Sequence, residues 1–197
     1  MISPILLADC TLPPVSEKEV LRYAGDRNPG MDTLHILHAC IEECNNAFCS
    51  KVVYRIFKIE KSTDYLNIGS MKIHSKSLIN NLKDCDEVIV FAATAGLMID
   101  RLIAKYAVIS PVRSLMLHSI GAERVEALCD SFCDKIATEL KCNLAPRFSP
   151  GYGDLPLVLQ KDILHLLNAN NTIGIGLNTS LLLSPTKSVT AFAGITH

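Results

Sequence analysis

Apolar positions recur along this chain with two periods, and the switches between them divide it into helices and strands. Leu34, Leu37, Ile41 and Phe48 fall at helical spacing, whereas residues 51–61 are dense in β-branched and aromatic side chains. Residues 31–48 therefore predict a helix and 51–61 a strand. Before them, residues 2–8 form a short apolar run suited to an edge strand. Ser16 followed by Glu19 has the form of a capping box, in which hydroxyl and carboxylate each satisfy a helix-start donor. That helix runs to Ala24 and closes at Gly25.

Residues 65–68 and 71–73 read as a hairpin about Gly69-Ser70, 77–82 as a short helix, and 85–94 as a buried strand. Ala95-Gly96 opens a helix to Tyr106. Pro111 starts another, with Gly121 a break before 122–140, where Val125, Leu128, Phe132, Ile136 and Leu140 form one apolar face. A helix over 157–167, a strand over 172–177 continued by 180–183, and a last strand over 189–195 follow. Strands interrupted by helices suit an α+β fold with a mixed or antiparallel sheet. No repeat or long linker divides the chain, so residues 1–197 read as one domain.

Composition narrows the function classes. Of 197 residues, 49% are hydrophobic and 20% charged, which is a globular balance. The net charge of −1 with no basic stripe argues against a nucleic-acid binder. The longest apolar runs fall short of a bilayer span, and no secretory leader pattern is visible, so a cytoplasmic location is expected. Eight cysteines are many for this length, yet in that compartment they read as free thiols packing like small hydrophobes. His35, His38, Cys40, Cys44 and Cys49 match no zinc-ligand spacing.

The stretch with most chemistry is 147–159, an ordered connection between two helical patterns. It sets a fork-shaped cation (Arg147), a Pro150-Gly151 turn, an aromatic (Tyr152) and a carboxylate (Asp154) side by side, with Pro156 suited to the first turn of the next helix. A guanidinium holds a planar carboxylate or phosphate bidentately, and glycine lets backbone approach a ligand. A well-made loop with a surface ion pair would use the same residues. Glu123, Glu126 and Asp130 lie on a polar face of the 122–140 helix, where solvation alone would explain them. Ala93-Thr94-Ala95-Gly96 has the strand-to-helix form of a phosphate site but lacks the glycine pattern of one. His118, His74 and His165 have no partners that would make an acid–base engine, and no hydrolase, metalloprotease or kinase motif is present.

Arg147-Phe148-Ser149-Pro150-Gly151-Tyr152 resembles the Arg-x-x-Pro-Gly-Tyr motif of the activation (reactivation) domain of cobalamin-dependent methionine synthase. The likeness continues through Pro156 and through Pro185-Thr186-Lys187-Ser188-Val189. Upstream, 19–23, 93–96 and 121–127 are similar to stretches of free-standing relatives. The resemblance implies a single C-shaped α+β domain with a twisted, mainly antiparallel sheet and flanking helices. It implies binding of S-adenosylmethionine and support for reductive remethylation of cobalamin carried by a corrinoid-binding methionine synthase subunit. A flavodoxin-like protein or another electron donor would supply the electron. Methyl transfer from a sulfonium to cobalt moves no proton, so positioning and electrostatics would suffice.

By the same resemblance, Arg147 would grip the carboxylate of the methionine moiety, and Ser149 and Gly151 would offer backbone contacts. Tyr152 would face the sulfonium and the corrin, as the one residue with a catalytic role. Glu126 is the helix carboxylate expected beside the ligand, with Asp130 one turn later as the other register. The chain departs from the family at Leu155, where a cysteine is usual, and in having no tryptophan to pair with an N-terminal acid. With no cobalamin, folate or homocysteine domain in the sequence, it would act in trans and show no methionine synthase turnover alone. Three other readings stay open: an accessory of another corrinoid methyltransferase, an interaction module of this fold without the ligand, and a thiol-based metal or redox protein.

Overall fold

A computed structural model describes residues 4–196. The chain runs β1 (Leu6–Ala8), α1 (Glu17–Ala24), α2 (Met31–Cys44) and β2 (Lys51–Lys61). A hairpin of β3 (Leu66–Ile68) and β4 (Met71–Ile73) follows, then α3 (Lys76–Asn81) and β5 (Glu87–Thr94). Two helices, α4 (Leu97–Ile109) and α5 (Pro111–Leu140), lead to β6 (Asn143–Leu144). A 3-10 turn at Leu157–Leu159, α6 (Gln160–Leu166) and α7 (Ala169–Ile173) come next. The small pair β7 (Gly176–Leu177) and β8 (Leu183–Ser184) and the long β9 (Ser188–Thr196) complete it.

The main sheet has the order β4-β3-β2-β5-β9-β6, and every pairing among the described residues is antiparallel. β2 is long enough to serve two neighbours on its outer edge, β1 at Val52 to Tyr54 and β3 at Ile59 to Lys61. β5 has no polar alternation because both of its faces are covered. Val88, Val90 and Ala92 pack under α6 and α7, whereas Ile89, Phe91 and Ala93 pack under α5. The Phe91 and Phe132 rings meet at 4.9 Å between centroids, pinning α5 to the sheet. A third cluster, including Val20, Leu37, Ile99, Leu117 and Ile120, joins α1, α2 and α4 to the first half of α5.

Several predicted elements change. The helix break expected at Gly121 is absent: α5 runs through it for 30 residues. Gly121 is instead a packing position, where a Cβ would come within 3.0 Å of Lys187 and 3.2 Å of Ile99. Of the strand expected over 172–177, only Gly176–Leu177 is strand (β7); Thr172 and Ile173 end α7, which is bounded by Asn168 at φ 50° and Gly174 at φ 76°. Its β-branched Thr172 and Ile173 favour a strand locally, but burying Ala169 and Ile173 against the sheet favours one more helical turn. Of the edge strand expected over 2–8, Leu6–Ala8 pairs with β2, and positions 2 and 3 lie outside the described residues. Pro156 stands just before the 3-10 turn with extended backbone rather than inside a helix.

Half of the capping box is replaced. The Ser16 hydroxyl accepts from the Glu19 backbone at 3.5 Å, but the Glu19 carboxylate turns to Arg22 at 2.7 Å. The Ser16 N–H donates to Glu123 on α5 at 3.1 Å. Glu123 is buried beside Arg124, which also donates to the carbonyls of Pro13 and Pro14 at 2.7 and 3.1 Å. Glu123 and Arg124 thus dock the N-terminal segment onto α5.

Candidate functional site

Residues 147–155 are held by their own backbone before any side chain is considered. Phe148 exchanges two backbone hydrogen bonds with Phe192 on β9, at 2.9 and 2.8 Å. A tight turn follows, with Tyr152 N–H donating to Ser149 and Gly151 N–H donating to Leu155 at 3.1 and 2.9 Å. Gly151 takes φ 94°, a conformation costly for any residue with a Cβ. At Gly153 a Cβ would fall 2.6 Å from the Ser77 hydroxyl, so that glycine is required by close packing on α3.

Asp154 is the fastening. Its carboxylate accepts from the Ser75 hydroxyl at 2.5 Å and from the Lys76 and Ser77 N–H groups at 2.7 and 3.1 Å. These bonds favour the ionised form, the Ser75 hydroxyl most, and hold its pKa well below the usual carboxylate range. The acid beside the Pro-Gly turn therefore caps α3, and the Ser75 hydroxyl in turn accepts from Leu78 N–H at 3.1 Å. No local sequence pattern links positions 154 and 75.

Arg147 points at α5. It donates to Glu126 at 2.8 Å and to Asp130, so both registers of the expected helix carboxylate are used at once. Glu126 and Asp130 are one turn apart, and the guanidinium fork spans them. Burial works against its charge, but the hydrogen bond to Asp130 and the surrounding anionic groups outweigh it and raise its pKa further. Burial raises the Cys133 thiol, while Arg147 works to lower it.

Between this ion-pair cluster and β9 lies a cleft of about 720 Å³. Glu126, Arg147, Ser149 and Tyr152 line it, joined by Asp134 and Thr190. Cys133, Cys142 and Gln160 also line it, and no motif marks them in the sequence. Gly151, expected to offer a backbone contact, is not among the lining residues; it shapes the turn. Tyr152 is 60% exposed and stands edge-on to Phe148, with centroids 6.2 Å apart. A second groove of about 470 Å³ shares Glu126 and Asp134 and is walled by Ser16, Glu19 and Tyr23 of the α1 region. Together the lining of the two hollows sets the acids Glu19, Glu123, Glu126, Asp130 and Asp134 against the cations Arg22 and Arg147.

The arrangement suits a ligand with a positive centre near an aromatic face and a polar, zwitterionic end. None of the lining groups of the larger cleft is a histidine. His118 meets Lys187, and the His74 ring lies against Tyr65. All eight cysteines are free, and burial pushes the Cys44 thiol up to about 12. Among the described residues no group of three His, Cys, Asp or Glu side chains is placed to hold a metal ion. No described helix is long and apolar enough to cross a membrane.

No protein-family model matches the sequence, and a search of curated proteins finds no match. Comparison of structures does. The crystal structure of the MetH reactivation domain bound to AdoHcy superposes with a TM-score of 0.67 at 16% identity, covering 88% of this chain and 68% of that one. At that identity the shared property is the architecture: a mainly antiparallel open sheet with flanking helices, as the sequence motif implies. This protein has the fold of the MetH reactivation domain.

Proposed function

We propose that the cleft beside Arg147 binds S-adenosylmethionine and that the protein supports reductive remethylation of cobalamin held by a corrinoid-carrying partner. The carrying observation is spatial. Arg147, Ser149 and Tyr152 from the 147–155 turn and Glu126 from α5, distant in sequence, line one cleft, in a chain with the fold of a domain crystallised with AdoHcy. Its volume of about 720 Å³ lies in the range of small-molecule sites.

The charge balance supports a sulfonium ligand. In the cleft Glu126 and Asp134 outnumber Arg147, and the adjoining groove adds Glu19, Glu123 and Asp130 against Arg22, so the lining attracts cationic centres. S-adenosylmethionine carries a sulfonium and an ammonium against one carboxylate. A guanidinium has five N–H donors, so Arg147 can hold the ligand carboxylate while keeping at least one α5 partner. Tyr152 gives the sulfonium an aromatic face at the cleft mouth. The protein's part in methyl transfer is then to bind, orient and exclude water, with no proton moved. Bound cobalamin would supply the nucleophilic metal, and a flavodoxin-like protein or another donor the electron.

A second reading has its own observation. Arg147 is already held by two protein carboxylates, as expected of an interaction module that uses the fold without the ligand. Calorimetric titration with S-adenosylmethionine and S-adenosylhomocysteine separates the two. Binding that Arg147→Ala weakens about tenfold or more supports the first; no binding, with or without a corrinoid partner, leaves the second.

A further inference from the structure

Lys187 is a buried cation whose only side-chain partner among the described residues is another base. It is 5% exposed, and among the described residues its Nζ contacts Nδ1 of His118 on α5 and forms no ion pair with an acid. Its stem lies over Gly121, the notch that keeps a Cβ off α5 at this point. The acid nearest to it in charge is Asp100 on α4, which is engaged with Thr186, accepting from its backbone N–H at 2.7 Å and its hydroxyl at 2.6 Å. The third neighbour, the junction of β5 and α4, offers only Thr94 and Ala95, neither of which titrates in this range. Burial pushes the Lys187 pKa down to about 8, with Asp100 working the other way.

The backbone around Lys187 is the seam between the cleft and the helices. Ala95 N–H donates to the Lys187 carbonyl at 2.9 Å, and the Ser188 hydroxyl donates to Thr94 Oγ1 at 2.8 Å. The next residues, Ser188, Val189 and Thr190, line the cleft. We infer that Lys187 and His118 form a proton-controlled latch that seats the cleft-lining start of β9 on α4 and α5.

The latch follows from proton counting. An ammonium can donate to Nδ1 only while that nitrogen carries no proton, so the closed pair holds the lysine charge against a neutral imidazole. When acid protonates the imidazole, two cations face each other. His118 is exposed and can swing into water, whereas Lys187 cannot be rehydrated without leaving the Gly121 notch. Either response leaves Lys187 without its side-chain partner. An enclosed charge lacking a hydrogen bond is costly, so the strain falls on the segment carrying it. The effect on ligand affinity rests on the proposed S-adenosylmethionine site; the latch itself does not.

The test is a pH titration of the whole labelled protein by nuclear magnetic resonance, following the His118 ring and the amides of Ser188, Val189 and Thr190. The amides are expected to move with the midpoint of the ring. His118→Asn keeps an oxygen acceptor near the place of Nδ1 and removes the titrating ring, so its amide response should vanish. Lys187→Met should also uncouple amides from ring. S-adenosylhomocysteine affinity should fall several-fold as the wild-type ring protonates and stay flat in His118→Asn. Amides that are silent in the wild type, or that titrate identically in His118→Asn, would overturn the latch. Failure of the ligand to bind at every pH would count against the proposed function, and the amide response would still decide the latch.

Discussion

Arg147 donates to Glu126 across 2.8 Å, which ties the Arg-to-Tyr turn to the middle of the longest helix. The guanidinium is 25% exposed, so it is within reach of a ligand and partly shielded from water. Its carboxylate partners are 43% and 66% exposed, which limits what the ion pairs alone add to stability. Holding the fork in place before a ligand arrives is their larger effect.

Arg147→Ala is expected to weaken S-adenosylmethionine binding by about 1.5–3 kcal/mol, the range of a charge-assisted hydrogen bond. The fold should lose at most about 1 kcal/mol, since the lost ion pairs are partly exposed. Arg147→Lys should recover little, because a single ammonium cannot bridge two carboxylates and a ligand. Calorimetry and chemical denaturation on the same samples check both statements. Wild-type affinity in the alanine variant would remove Arg147 from the site.

Tyr152→Phe should leave binding nearly unchanged, since the ring and its edge contact with Phe148 remain. Tyr152→Ala should cost S-adenosylmethionine about 0.5–1 kcal/mol more than S-adenosylhomocysteine, because only the sulfonium is attracted to the ring face. Paired titrations of the two ligands measure this difference. Equal losses would mean that the ring contributes surface and no cation contact.

Lys187→Met should raise stability at neutral pH. A lysine whose folded pKa is about 8 against about 10.5 unfolded binds fewer protons folded than unfolded between those values. Its penalty is therefore complete below about pH 8 and is relieved as pH rises toward 10.5, so wild-type stability climbs across that window. The shift corresponds to roughly 3 kcal/mol. Thermal or denaturant unfolding from pH 7 to 10 should show the rise in the wild type and a flatter profile in Lys187→Met.

Asp154→Asn should destabilise the protein and narrow its acid tolerance. A carboxylate with a depressed folded pKa contributes fully above its unfolded value of about 3.9, and the contribution is lost as pH falls toward the folded one. Asp154→Asn lacks this contribution at every pH, so its acid unfolding should begin at a higher pH than in the wild type, and the stability difference between the two should shrink as pH falls below about 3.9. Circular dichroism from pH 6 downward reads it. Indistinguishable acid profiles would show that the cap adds nothing.

Gly121→Ala should cost about 1–3 kcal/mol although alanine is the better helix former. The added methyl would press on the Lys187 stem and Ile99 at 3.0 and 3.2 Å. Denaturant unfolding measures the cost, and a stabilised variant would mean that the notch can widen freely.

Hydrophobic period and composition by themselves determined most of the elements: the strand at Lys51–Lys61, the hairpin about Gly69-Ser70, the buried β5 and the apolar face of α5. These depend on neighbours close in sequence and on burial of whole faces, which periodicity reports. The Arg147 to Tyr152 motif marked the candidate site stretch, and the family resemblance it carries implied the fold. Only the tertiary structure decided the rest. Gly121 reads as a break until Lys187, 66 positions away, is seen to occupy its missing side chain. Glu19 reads as the capping carboxylate until Glu123 takes the Ser16 N–H. Asp154 reads only as a carboxylate beside the Pro-Gly turn until its three bonds to Ser75, Lys76 and Ser77 at the start of α3 are seen. Thr172 and Ile173 read as strand until burial favours a helical turn. Each is a contact between residues distant in sequence, and a local pattern holds no information about which distant group will satisfy a donor or fill a space.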